Sequence, residues 1–300
     1  MNRSLLLIVL LLTILSCGKD TLDLSDSFSP DIPAVPTSFG QNVLIEQFTQ
    51  ASNGQCPVTD SLLSYVRMIS PDRICPVNIH VSDALCPAEL TDTSTGGNVL
   101  NSFFNSSGSI PAGMMNRKVT DPTDLSPLNY ESRLNSTLSL VPRCGVALDA
   151  NDIRNGYLNL SVHVGYSADL PGAYRLHVYL VRKTYIPADS GLVQSNDFSQ
   201  NGTTPLPGTT YYDLPDPVYF YRFPYVLEKV LTSSADGLVI PESSALKGKS
   251  YVKNLIVDMR GKNTDDYLIV AFVDKYGPTA GGHRVENARM VEVGNVSPWN

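Results

Sequence analysis

The chain has 300 residues, a hydrophobic content of 42% and 22 Lys and Arg against 29 Asp and Glu, for a formal charge of −7. An acidic balance without any basic run lacks the electrostatic footprint of a nucleic-acid binder, so no nucleic-acid partner is expected. About 260 residues follow the first 40, enough for two domains of roughly 100–200 residues each.

Residues 1–16 read as a signal peptide: a basic start at Arg3, an apolar stretch from Leu5 to Leu15 and the small Ser16. The stretch is too short for a permanent membrane span. Ile14-Leu15-Ser16-Cys17 resembles the bacterial lipobox, which implies cleavage before Cys17 and acylation of its new N-terminus. Several acyl chains would anchor the protein stably, whereas one binds only marginally. Loss of residues 1–16 removes Arg3 and takes the charge from −7 to −8. Residues 17–40 are polar and carry Pro30, Pro33 and Pro36, a composition that buries little and stays extended, so they are expected to form a stalk. Lys19-Asp20 behind the cysteine resembles the surface-export signal of Bacteroidetes lipoproteins. The expected location is the outer membrane, on its periplasmic or cell-surface face.

Val43 to Phe48 is a predicted strand, followed by a polar turn and Cys56-Pro57. Proline is tolerated where a helix begins, and Leu62, Leu63, Val66 and Ile69 repeat at helical spacing up to Ser70-Pro71. A second strand from Arg73 to Val81 completes a βαβ unit, whose parallel strands end on one edge, where open α/β sheets hold their sites. Pro111 precedes another strand, and Tyr130, Leu134 and Leu138 mark a helix before Pro142.

This pattern resembles the outer membrane protein 28-related lipoproteins of Bacteroidetes. The matching residues are Val43-Leu44-Ile45-Glu46, Phe48-Thr49, Gly54, Cys56-Pro57, Ile79-His80, Ile110 to Met114 and Asn116-Arg117, with Tyr225 to Leu231 and Gly237 further on. The resemblance implies an α/β plus all-β chain: a thioredoxin-like domain at 41–143 and an immunoglobulin-like β-sandwich at 144–300. Members carry Trp-Cys-Gly-x-Cys-Pro at the start of the first helix; here those positions read Ser52-Asn53-Gly54-Gln55-Cys56-Pro57. The first cysteine of such a pair attacks because its thiol is acidified, and Asn53 cannot do this. Cys56 would be the resolving cysteine and Pro111 the cis-proline beside a degenerate cleft.

Beyond Cys17 four cysteines remain, Cys56, Cys75, Cys86 and Cys144, which in an exported protein suggests disulfides. Cys56 and Cys86 each follow one of two parallel strands, so a Cys56–Cys86 bridge is expected to pin the loop from Ser82 to Thr95 over the cleft. Cys75–Cys144 is the complementary pair; the alternative leaves both as buried free thiols.

From Gly145 the texture turns to strands. Leu158, Leu160, Val162 and Val164 alternate with polar residues, as do Leu176, Val178 and Leu180 after the turn at Asp169 to Gly172, and the two runs read as a hairpin with one solvated face. Further strands fall at Val218–Leu231, Tyr251–Met259, Tyr267–Asp274 and Ala288–Val293, about seven in all, which suits a β-sandwich. In a hairpin symmetric about Leu170, His163 and His177 would face each other on the outer side, although no carboxylate or cysteine joins them into a metal site. No His-x-x-x-His pair, nucleophile elbow or Walker loop occurs, so no metal and no cofactor is expected. A long polar loop, Asp189 to Gly208, leads into Tyr211, Tyr212, Tyr219, Tyr221 and Tyr225, interleaved with prolines. Such tyrosines suit a binding platform for envelope glycan or protein; the alternative places them in the sandwich core. The expected function is a non-enzymatic, lipid-anchored binding or assembly module, with monothiol disulfide exchange at Cys56 as the alternative.

Overall fold

In a computed structural model of the chain, residues 34–92, 98–232 and 234–299 are described. The signal peptide, Cys17 and most of the expected stalk lie outside them. No helix among the described residues is long and apolar enough to cross a membrane.

The chain is a mixed α/β protein dominated by strands. β1 (Val43–Thr49) and β2 (Ile74–His80) pair in parallel from Val43 opposite Ile74 to Thr49 opposite His80, joined by α1 (Cys56–Ile69). Both strands are buried along their whole length, as expected of parallel strands covered on two faces. On α1, Leu63 and Val66 pack on Val43, Ile45 and Ile74, and the helix stops at Ser70, whose backbone is pushed out of the helical region by Pro71. α2 (Val99–Phe104) starts at Asn98, whose side chain accepts from the amides of Leu100 and Asn101. β3 (Ala112–Met115) runs antiparallel to β1, and α3 (Tyr130–Leu138) returns across it with Tyr130 and Leu134 buried.

The second half supplies β4 (Cys144–Arg154), β5 (Tyr157–Tyr166), β6 (Tyr174–Tyr185), β7 (Phe223–Val230), β8 (Leu238–Ile240), β9 (Ser250–Asp258), β10 (Tyr267–Lys275), β11 (Val285–Glu292) and β12 (Val296–Ser297). Four of them form a sheet in the order β12-β4-β5-β9. The others extend the sheet of the first half into one of order β11-β10-β6-β7-β2-β1-β3, with β8 beside β6. The junction is the parallel pairing of Asn78 with Val226, reinforced by Asn78 Nδ2 donating to the Pro224 carbonyl at 2.9 Å. One core fills the space between the two sheets, built from residues such as Val146, Leu160, Val178 and Ile269. A second joins Leu44, Phe48 and Val77 to Tyr179, Val270 and Phe272, so the two halves share apolar packing. Residues 34–40 also pack: Phe39 is buried against Gly145 and Trp299.

The expected hairpin does not form. β5 pairs with β4 and β9, whereas β6 pairs with β7, β8 and β10. The turn at Asp169 to Gly172 carries the chain from one sheet to the other, so the alternating apolar residues meet across the core instead of side by side. His163 therefore stands opposite Ala147 and Val252, and His177 opposite Phe272. His177 is buried rather than solvated, because β6 is central in its sheet and covered on both faces.

Candidate functional site

The edge at which β1 and β2 end carries the turn Gln50 to Gln55 and the start of α1. Asn53 spans it: its Nδ2 donates to the Ile110 carbonyl at 2.7 Å, and its Oδ1 accepts from the Gln55 amide at 3.0 Å. The Ile110–Pro111 peptide is cis. Asn53 is thus a neutral amide held on both sides, tying the turn before α1 to the residue that precedes Pro111.

Cys56 is 0% exposed. Burial pushes its thiol up to about 12, outweighing the Thr49 hydroxyl and the Gln50 backbone, which lower it. It stays protonated at neutral pH and is a poor nucleophile.

The long loop closes this edge from outside. Ser195 N donates to the Ala51 carbonyl (2.8 Å), Asp197 N to the Gly54 carbonyl (3.0 Å) and Gln194 Nε2 to the Asn53 carbonyl (2.9 Å). Gly54 is required here because a Cβ would overlap the backbone nitrogen and carboxylate of Asp197. Tyr211 donates to the Pro57 carbonyl at 2.9 Å and accepts from Ser61, and Tyr221 donates to Asp60 Oδ2 at 3.1 Å. Two of the expected platform tyrosines are therefore fasteners. Tyr212 and Tyr225 are half-buried, and Tyr219 alone of the five is exposed, beside Phe220.

Asp60 lies inside α1, where Oδ1 accepts from Gln47 and Asn78, both at 3.0 Å. Burial raises its carboxyl to about 7, against the opposing charge of His80 and the hydrogen bonds of Tyr221, Asn78 and Gln47. Next to it, Asp83 accepts from the Ala51 amide and from His80 Nδ1; burial would raise it, but His80 and the Ala51 and Leu85 amides hold it below the usual carboxylate range.

Beside the closed edge the surface is open. A cleft of about 780 Å³ is lined by Gln55 just before α1, Thr59 of α1, Pro111, Leu125, Leu128 and Phe198 of the long loop. Its lining mixes apolar residues with serines and threonines, so it suits a ligand with both polar and apolar groups.

The expected disulfides are not formed, and all four cysteines carry free thiols. Cys86 turns toward Thr91 and Asn98, each 3.6 Å from its sulfur, and away from Cys56. Cys75 lies in the core shared by the two halves and Cys144 in the core between the sheets, so these two never meet.

Sequence reasoning missed a buried polar cluster at the junction. Arg117 holds Glu46 through two hydrogen bonds (2.8 and 2.9 Å), and reaches Asp274 Oδ2 (3.1 Å) and the Tyr179 hydroxyl (2.9 Å). His177 and His283 each contact Asp274 at 3.0 Å, and the guanidinium lies over the Phe104 and Phe272 rings. Burial would raise Asp274, but His177, His283 and Arg117 hold it well below its ordinary range. A charged Glu46 within an apolar parallel strand was the available signal. No group of three or more potential metal ligands occurs among the described residues.

No protein-family model matches the chain, and no curated protein sequence does. Among solved structures, HBP35 of Porphyromonas gingivalis is similar with a TM-score of 0.62 at 16% identity, over 87% of this chain and 78% of that one. What they share is a fold. A protein of Agrobacterium tumefaciens is similar with a TM-score of 0.49 at 12% identity, over 85% of this chain and 96% of its own. HBP35 comes from a member of the Bacteroidetes and is consistent with the mixed α/β architecture described above.

Proposed function

We propose that the protein is a lipid-anchored module of the bacterial cell envelope that binds a partner and does no thiol chemistry. In this reading it belongs with the outer membrane protein 28-related lipoproteins, with a thioredoxin-like first half, an immunoglobulin-like second half and an acylated Cys17 in the outer membrane. The βαβ unit, the placement of Pro111 beside the start of α1 and the likeness to HBP35 support it. The observation that carries the functional part is the closed edge: Asn53 is bound to Ile110, and Cys56 is buried and protonated beneath the segment from Gln194 to Tyr221. Monothiol exchange would need Cys56 exposed and ionised, and it is neither. The cleft beside Pro111, with Phe198 and several serines and threonines in its lining, is then the place where an envelope glycan or protein segment is held.

The test is thiol reactivity in the native protein, read by mass spectrometry after alkylation, together with a disulfide-exchange assay. Only Cys86, which is partly exposed, should label within minutes, with exchange at the solvent rate. Turnover by the native protein that vanishes in Cys56→Ser would overturn the reading.

A further inference from the structure

We propose that the end of the molecule at which the chain enters β1 docks on the surface of a lipid bilayer. The inference rests on the lipid-anchor reading above and adds an orientation to it. In a parallel βαβ unit both strands begin at one edge, and the helix between them ends there. β1 and β2 begin at Val43 and Ile74, and α1 ends at Ile69. Arg73 joins the end of α3 to the same edge, donating through Nε and a terminal nitrogen to the Gln41 carbonyl (3.0 and 2.7 Å) and to the Leu138 carbonyl (2.8 Å).

Four large apolar side chains are exposed at this end: Met68 (71%) and Ile69 (47%) where α1 stops, and Leu140 (44%) and Val141 (84%) just past α3. Single exposed apolar residues are ordinary, but several together at one pole, rimmed by charge, mark a contact surface. Arg73, bound to the Gln41 and Leu138 carbonyls, and Arg143, paired with Glu286, are exposed beside Asp72, and long amphipathic side chains of this kind suit the interface between apolar insertion and polar headgroups.

The start of the described chain supports the bilayer as occupant. Val35 packs on Gly165 and Phe39 on Gly145, two glycines that pair with each other beside Arg143. Sixteen residues, 18–33, separate Cys17 from this point; even fully extended such a segment spans at most about 60 Å. Docking a tethered surface is an intramolecular event at high effective concentration, so four side chains suffice where a free protein would need many more. The cleft beside Pro111 lies at the opposite edge, where β1 ends and α1 begins, and so faces away from the membrane.

The test uses the protein acylated by its own signal, with Trp299, its single tryptophan, replaced by Phe. Met68→Trp, Val141→Trp and, at the cleft, the exposed Leu128→Trp are compared in phosphatidylcholine–phosphatidylglycerol vesicles with brominated acyl chains. Quenching at positions 68 and 141 at least threefold stronger than at 128 is expected. Equal quenching, or none in protein that stays on the vesicles, overturns the docking while leaving the anchor standing. Protein that neither carries acyl mass on Cys17 nor sediments with vesicles refutes the anchor, and the docking with it. A blue-shifted but unquenched signal with a doubled sedimentation mass shows that a second copy covers this face, which also overturns it.

Discussion

Asp60→Asn tests a buried carboxyl that is raised toward neutral pH. The carboxyl of Asp60 is raised from an ordinary 3.8 to about 7, first by burial, against the His80 charge and three hydrogen bonds. The native state therefore holds this proton over a pH range in which the unfolded chain has released it. Stability from this group is fully present below about pH 4 and is lost as pH rises through 7, because there the unfolded state binds fewer protons than the native one. Three units at about 1.4 kcal/mol each give a total of about 4 kcal/mol, of which roughly 3 kcal/mol is lost between pH 5 and pH 8. Asparagine keeps the geometry: its oxygen can accept from Gln47 and Asn78, and its amide can donate to the Tyr221 hydroxyl. Urea unfolding of both proteins at the two pH values removes every other titrating group from the difference. Asp60→Asn should gain on the wild type by about 3 kcal/mol between pH 5 and pH 8. A gap that is the same at both values would refute a neutral Asp60.

Two further substitutions test the closed edge and the junction. Gly54→Ala drives a methyl group into Asp197, so it should cost about 1–3 kcal/mol and accelerate amide exchange at Ser195 and Asp197; unchanged protection there would show that the loop does not depend on this contact. Glu46→Gln leaves Arg117 short of one buried charge partner and should cost about 3–5 kcal/mol. A loss below about 1 kcal/mol on guanidinium unfolding would mean that Asp274 alone holds Arg117.

The local parts of the fold were legible because their signals are local. Val43 to Phe48, the helix behind Pro57 and the strand to Val81 each carry their own periodicity or terminus, and the structure keeps them within a few residues. Pairing between distant segments has no such signal. Leu158 to Val164 and Leu176 to Leu180 alternate alike whether they share a sheet or face each other across a core, and the turn between them serves both arrangements. Arg117 finds Glu46 and Asp274 across 71 and 157 residues. A reading of neighbouring residues finds the charge in the strand but not its partner.

The silence of Cys56 is spread over several contacts rather than owed to one missing thiol. The segment Gln194 to Asp197 binds three backbone carbonyls of the turn, those of Ala51, Asn53 and Gly54. Tyr211 and Tyr221 then fix its far end to α1 at Pro57 and Asp60. A disulfide substrate approaching Cys56 would have to displace all of these, and the thiol would still have to ionise in a buried site that pushes it up to about 12. The same fasteners carry Phe198 to the side of the cleft near Pro111. The loop that closes the edge to exchange chemistry therefore also builds one wall of that cleft, and the two roles follow from a single placement of the chain.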